Sequence, residues 1–433
     1  MSTPAALPPV ANGANVRLLW PDGRSEKARL VAIGRSGGAG EVFSLADDPR
    51  YVAKIYHASI AAPQRARYEA KIGWMIRNRP ELPPIPADYQ GIVQLAWPLA
   101  VVLQGSRFAG FLMEKIDFER TLELDYLLTR RQAAREGFAV DFGKLVTICH
   151  NLATLIDCLH GKRISVVDLK PINLKVYKSE LYVSILDCDG FHIQSDGFVS
   201  EAPQVTPEYL APEFQDKSVT RPESQDRFAL ATIIFRLLNY GIHPFTGVAA
   251  ARRPYPAELA GRIQQGLYPY GLRPLAGMRA TPASVHSCFP PAIRAYFDAA
   301  FAAGTASRPS ARDWAGLLGE YANRNAAMLL PCPRGHLQFA GLACAVCLRE
   351  GILRGHVERR RRLVTRIQAS PARAISYVRK SFKGTRTSPF QAALAQAQGT
   401  TVQMAPPAPA LRTVLAVEIV WAIGLLITVW WLK

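Results

Sequence analysis

The chain has 433 residues, more than one ordinary hydrophobic core accommodates, so a large domain of roughly 300 residues with appendages is expected. Apolar residues make up 49% of it, which excludes a wholly disordered chain, and seven cysteines without a secretory leader argue against a disulfide framework and for a reducing cytoplasm. The formal net charge of +18 asks for an anionic partner, but much of the excess is local: between positions 354 and 386 stand Arg359, Arg360, Arg361, Arg362, Arg366, Arg373, Arg379, Lys380 and Lys383, with Glu358 as the only acid.

Residues 1–15, rich in Pro, Ala and Asn, read as disordered. Segments 16–19 and 28–33 flank a Pro21-Asp22-Gly23 turn and predict a β-hairpin. A glycine-rich turn follows at Gly34, Gly37, Gly38 and Gly40, and 42–43 and 51–56 predict strands. Over 64–78 the spacing of Tyr68, Ile72, Met75 and Ile76 predicts a helix. A strand pair near Val101 and Phe111 leads into Met113-Glu114-Lys115-Ile116. From Phe142 onward the pattern is largely helical, broken by short strands at 174–176 and 182–186 around a Lys178-Ser179-Glu180 turn. Helices are expected at 225–238, 256–265, 291–303 and 311–324. A small sheet carrying one helix, followed by a helical lobe, predicts an α+β fold in two lobes.

Two segments carry the chemistry: Val167-Asp168-Leu169-Lys170-Pro171-Ile172-Asn173 and Thr206-Pro207-Glu208-Tyr209-Leu210-Ala211-Pro212-Glu213. They resemble the catalytic loop and the end of the activation segment of a serine/threonine protein kinase. The resemblance extends over 16–325 and implies a bilobal protein-kinase-like fold, with an N-lobe at 16–117 and a C-lobe at 118–325. It implies that Asp168 accepts or orients the proton of a substrate hydroxyl, that Lys170 touches the γ-phosphate and that Asn173 binds metal. Val52-Ala53-Lys54 resembles the strand motif whose lysine contacts the α- and β-phosphates and pairs with a helix glutamate. Glu69 is the partner expected for Lys54, and spacing alone leaves Glu81 open. Gly34, Gly37, Gly38 and Gly40 resemble the glycine loop that lies over phosphates, although Gly37 stands three positions after Gly34 where two is usual. In this resemblance Val42 and Ala53 sandwich adenine, and Glu114 and Ile116 offer hinge backbone groups behind a gatekeeper-like Met113.

The departures from the family are specific. His-Arg-Asp is replaced by Val166-Val167-Asp168, which removes the usual cationic partner of a phosphorylated activation loop, so turnover is expected not to require that phosphorylation. Lys175 stands where an apolar residue usually forms the adenine floor; its stem is expected to substitute, with the ammonium snorkelling outward. Asp187-Cys188-Asp189-Gly190 replaces Asp-Phe-Gly, and counting along the strand from Val183 makes Asp187 the expected magnesium ligand, with Asp189 the alternative. Asp226, the Gly241-Ile242-His243-Pro244-Phe245 segment and an Arg308–Glu213 pair are expected as structural anchors, His243 being a packed residue and not a ligand. The chain is similar in these respects to atypical bacterial eukaryotic-like (Hanks-type) kinases with a DxD in place of Asp-Phe-Gly. That resemblance implies ATP and Mg²⁺ or Mn²⁺ as cofactors, a protein substrate, and a PP2C-type phosphatase and a von Willebrand A-domain protein as partners. A nucleotide-binding pseudokinase acting as a membrane scaffold is the rival reading. A small-molecule kinase is disfavoured by the intact platform at 206–213.

Cys149, Cys158, Cys188 and Cys288 are scattered and read as packing residues. Cys332, His336, Cys344 and Cys347, within 330–350, form C-x3-H and C-x2-C halves whose natural occupant is a structural Zn²⁺, closing a knuckle too small to have much core of its own. Residues 351–410 read as a basic segment and linker. In 411–433, the 19-residue stretch 414–432 is apolar except for Glu418 and Thr428, long enough to cross a hydrocarbon core of about 30 Å. Its eleven Val, Leu and Ile residues, at roughly −0.3 to −0.6 kcal/mol each, outweigh one glutamate costing about 2.5 to 3.5. The arginines before it place the preceding domain on the cytoplasmic side and against anionic headgroups, which favours membrane lipid over nucleic acid as the partner. A single-pass, tail-anchored protein of a bacterial inner membrane is expected.

Overall fold

The computed structural model describes residues 9–195, 197–202, 205–215, 219–249, 255–273, 275, 277–301 and 308–369. The chain divides into two units, 1–355 and 356–433. The expected basic segment and linker beyond 369, and the anchor at 411–433, lie outside the described residues.

The predicted hairpin is β1 (Asn15–Leu19) and β2 (Ser25–Ser36), paired antiparallel through Val16 and Ala28. β3 (Gly40–Leu45), β4 (Tyr51–Tyr56), α1 (Ala62–Arg77), β5 (Pro98–Gln104) and β6 (Arg107–Glu114) follow. β1 also pairs with β5 through Leu18 and Val102, so the expected small sheet closes into a barrel of order β1-β2-β3-β4-β6-β5. The alternation of β1 explains this: Val16 and Leu18 point inward onto Leu30, Phe43, Ala53, Val102 and Leu112, and closure leaves neither end strand with an open edge. Gly110 lets β6 approach β4, because a Cβ there would collide with the Lys54 carbonyl. α1 lies on the outside of the barrel with Ile72 and Met75 buried, and the Trp97 indole donates to the Met75 carbonyl at 2.9 Å.

The second lobe begins with β7 (Thr121–Glu123), α2 (Arg130–Arg135) and α3 (Phe142–Gly161), the last capped by Asp141, whose side chain accepts from the Lys144 N–H at 2.8 Å. α3 is long and apolar enough to cross a membrane, but Leu152, Ala153, Leu155 and Ile156 are buried in the lobe and make it a core helix. β8 (Ile164–Ser165), β9 (Leu174–Tyr177), β10 (Val183–Ile185), β11 (His192–Ser195) and β12 (Phe198–Ser200) form two short ladders, β10-β9-β7 and β12-β11-β8. The buried helix α4 (Pro222–Leu238) is followed by β13 (Gly247–Ala249), α5 (Leu259–Gln264) and β14 (Met278–Ala280). α6 (Pro291–Phe301) and α7 (Ala311–Ala322) complete the lobe, α7 starting at a capping box in which Ser310 and Asp313 satisfy each other's backbone N–H. Arg308 is buried and pairs with Glu213, its Nη2 2.8 Å from Oε2.

β15 (Leu329–Pro331), β16 (Leu337–Phe339) and the start of α8 (Ala345–Ala369) bring the four Cys and His residues together. This knuckle is not a free-standing module with a core of its own. Phe339 is buried against Phe142, Phe289 and Tyr321, with ring centroids 6.0, 6.2 and 5.3 Å away. Cys332, Cys344, Ala345 and Val346 belong to the same core cluster as the second lobe.

Candidate active site

The segment at 166–173 leaves β8 and is fixed from below by α4. The Asp226 carboxylate, fully buried, accepts the Val166 and Val167 N–H groups at 2.7 Å each and lies 3.0 Å from His160 Nε2. Val167 takes a positive φ of 66°, a strained geometry for a β-branched residue that this double anchor holds in place. Beside it Gln225 donates to the Val167 and Tyr209 carbonyls at 3.3 and 2.8 Å and accepts from the Ala211 N–H at 2.8 Å. One helix end therefore binds both the segment at 166–173 and the segment at 206–213.

That arrangement brings Asp168, Lys170 and Thr206 into one cluster. The Thr206 hydroxyl donates to Asp168 Oδ1 at 2.7 Å, and Lys170 Nζ lies 2.7 Å from Asp168 Oδ2 and 2.9 Å from Thr206 Oγ1. Asn173 donates from Nδ2 to the Asp168 carbonyl at 3.4 Å, so the amide oxygen is the atom it can offer a cation. Its own carbonyl accepts from the Leu186 N–H at 2.9 Å, which ties the loop to the residue before Asp187. Asp187 has φ 53° and its side chain is 64% exposed.

Above these residues a cleft of about 800 Å³ opens between the lobes. Gly37, Gly40, Val42, Val52 and Lys54 line it from the barrel, Met113, Glu114 and Ile116 from the strip after β6, and Leu186 and Asp187 from the second lobe. Gly37 donates to the Gly40 carbonyl at 2.8 Å in a tight turn, while Gly34 sits at the β2 irregularity with φ +68°. Neither Gly34 nor Gly38 is among the described residues lining the cleft. Ala53 is also misassigned by the sequence reading: side chains alternate along β4, so Val52 shares the cleft face with Lys54 and Ala53 points into the barrel core. Lys175 does not snorkel to water. It is buried, with Nζ 3.1 Å from Glu123 and 4.9 Å from the Phe118 ring centroid.

The partner of Lys54 differs from expectation as well. Lys54 Nζ lies 2.7 Å from Asp189 Oδ1 and 3.3 Å from Asp187 Oδ1. Burial works to lower the Lys54 pKa, but the two carboxylates, Asp189 foremost, outweigh it and hold the value above the ordinary lysine range. Glu69 and Glu81 are both exposed. At about 100° per residue, Glu69 stands roughly 120° from the α1 face formed by Lys71, Ile72 and Met75. Lys71 is on that face, buried, and donates to the Phe191 carbonyl. Burial lowers its pKa to about 8. The signal for it was present in the sequence, since Lys71 adjoins Ile72 and lies four residues before Met75 on the apolar stripe.

His243 is a packed residue, as expected. Its Nδ1 accepts from the Phe245 N–H at 3.2 Å, which leaves Nε2 to donate to the Glu208 carbonyl at 3.0 Å. Burial, helped by nearby Arg236, pushes its pKa down to about 3.

No protein-family model matches the chain. It is 27% identical over 306 residues to Protein kinase YegI of Escherichia coli (strain K12), an overlap covering 67% of this chain and 44% of that protein. The corresponding protein of Escherichia coli O157:H7 is 27% identical over 296 residues, 65% of this chain and 43% of the relative. The chain is thus similar to bacterial proteins named as protein kinases. The chain spans less than half the length of the curated relatives it matches.

A second cluster lies in the knuckle, where the ligand atoms of Cys332, His336, Cys344 and Cys347 all lie within 4.8 Å of one another. His336 Nδ1 is 3.7, 3.9 and 3.4 Å from the Cys332, Cys344 and Cys347 sulfurs, and the Cys332 and Cys347 sulfurs are 3.9 Å apart. Those are close to the edges of a tetrahedron with bonds of about 2.3 Å to sulfur and 2.0–2.1 Å to nitrogen, so the donor set fits a closed four-coordinate site.

Asp226 supplies the first test. Asp226→Ala leaves two buried N–H donors unpaired, and is expected to destabilise the chain by about 3 kcal/mol. The midpoint of denaturant unfolding measures it, and a shift within error of zero would show that the loop does not depend on this anchor.

Proposed function

We propose that this protein is an ATP- and Mg²⁺-dependent serine/threonine protein kinase that works at a membrane. The observation carrying the reading is the bonded set of Asp168, Lys170 and Thr206 beneath a cleft that holds Lys54 on one wall and Asp187 on the other. Asp168 orients the substrate hydroxyl and takes up its proton, its carboxylate held in one orientation by Thr206 and Lys170. Lys170 neutralises the γ-phosphate and Lys54 the α- and β-phosphates. Asn173 and the exposed carboxylate of Asp187 offer hard oxygen donors and would hold Mg²⁺, which when bound neutralises charge on the phosphates. Lys170 and the Thr206-Pro207-Glu208 segment favour serine or threonine over tyrosine as acceptor.

Asp168→Ala should lower γ-phosphate transfer to a protein acceptor by roughly a hundredfold or more while ATP still binds. Transfer at the wild-type rate in that variant would sink the assignment. ATP binding by the wild type with no transfer would instead favour a nucleotide-binding pseudokinase serving as a membrane scaffold.

The Cys3His set would hold one structural zinc ion, since four protein ligands leave no open position for chemistry. Metal analysis is expected to find about one zinc per chain, lost in Cys344→Ser/Cys347→Ser. Stoichiometric zinc in that double variant rejects the ligand set.

Membrane attachment rests on the sequence at 414–432 and the basic run before it. Removing residues after Ala410 should move the protein to the soluble fraction, with kinase activity kept. The fractionation is repeated at high salt, where attraction of the basic run to anionic lipid is screened. Full-length protein released by carbonate without detergent would make the segment peripheral.

A further inference from the structure

We propose that the two carboxylates of Asp187-Cys188-Asp189 have divided roles: Asp189 positions Lys54 in place of a helix glutamate, and Asp187 alone faces the nucleotide and its metal. The assignment rests on the kinase reading and goes beyond it by naming what holds Lys54.

The geometry is asymmetric. Asp189 is 3% exposed and both of its oxygens are engaged from β4, Oδ1 by Lys54 Nζ at 2.7 Å and Oδ2 by the Tyr56 hydroxyl at 2.9 Å. Lys54 and Tyr56 are two residues apart on a strand, so they share a face and clamp one carboxylate between them. Asp187 lies at the longer distance of 3.3 Å, is largely exposed and lines the cleft. A tight turn links the two, with the Gly190 N–H donating to the Asp187 carbonyl at 2.9 Å.

α1 carries the opposite charge to the one a glutamate would bring. Its buried side chain toward this turn is Lys71, which donates to the carbonyl of Phe191, two residues after Asp189. The buried layer therefore contains two lysines and takes its carboxylate from the turn. Charge has been exchanged between helix and turn: a cation stands on the helix, and an acid occupies the position where Asp-Phe-Gly has glycine. A consequence is that Lys54 keeps its partner whatever α1 does. Movement of that helix would break the Lys71 contact and leave the Lys54–Asp189 pair intact.

The test reverses the exchange. Asp189→Gly removes the nearer carboxylate and leaves Lys54 with only the longer Asp187 contact at 3.3 Å, and Lys71→Glu crowds two acids together. Lys71→Glu/Asp189→Gly puts one carboxylate back on the helix. ATP affinity with and without Mg²⁺, and steady-state transfer, are measured on the full chain in detergent, with circular dichroism to confirm folding. Asp189→Gly is expected to weaken Mg²⁺-free ATP binding at least tenfold, and the double variant to regain most of that loss. Asp187→Asn should chiefly raise the Mg²⁺ concentration needed for turnover. If Asp189→Gly fails to fold, Asp189→Asn and Tyr56→Phe carry the same test with less disturbance, each raising the KM for ATP several-fold with a smaller change in kcat. Asp189 variants that bind ATP like the wild type, or that lose Mg²⁺ dependence as Asp187→Asn does, overturn the assignment and leave the kinase reading standing. No ATP binding by the wild type overturns both.

Discussion

A single buried carboxylate holds the working parts in register. Asp226 sits inside the second lobe and reaches the backbone N–H groups of Val166 and Val167, so the loop carrying Asp168 is bound to the lobe's central helix. A buried acid is costly unless its oxygens are satisfied, and here they are satisfied by the segment that has to be fixed. Gln225, its neighbour, extends the same grip to Tyr209 and Ala211 in the segment at 206–213. Asp168, Lys170 and Thr206 meet because two stretches some forty residues apart share one helix end as their anchor.

The other wall of the cleft is organised by charge. Lys54 is almost wholly buried, and a cation in that position is tolerable only with acids against it. Asp189 supplies the shorter contact and Asp187 the longer, so a pair of carboxylates two residues apart meets a single lysine from the barrel. Barrel closure stiffens the strand that bears Lys54, and Gly110 allows the neighbouring strand to lie against its backbone. The lysine is thus held between its strand and the turn after β10, with Tyr56 of the same strand fixing the Asp189 carboxylate it meets.

The knuckle extends the second lobe. Phe339 packs edge-to-face against aromatic side chains from α3 and α7 and from the segment before α6, so the region that gathers the Cys3His set also completes the lobe's hydrophobic core. A hairpin of two three-residue strands has little stability alone, and the lobe provides what its own interior lacks. Metal closure and core packing would act on the same few residues, since Cys332 and Cys344 are both buried in that core.

Local pattern in the sequence was enough for the features that depend on neighbours in the chain. The hairpin turn, the helices α3, α4, α6 and α7, the Asp168–Asn173 spacing and the Cys-His halves are all written in short windows, where periodicity and ligand spacing act directly. The Arg308–Glu213 pair and the anchor at Asp226 were legible through resemblance to a family. What the sequence alone left undecided were choices between side chains of similar type at similar distance along the chain. Whether Lys54 meets Glu69, Asp187 or Asp189 depends on which face of α1 turns inward and on how the turn after β10 folds. Whether Val52 or Ala53 faces the cleft depends on the inward side of β4. Those are questions of register and rotation, and only packing of the barrel, helix and lobe against one another answers them. The knuckle's docking is of the same kind: Phe339 is one aromatic among many until the surface it covers has been assembled from segments up to two hundred residues away.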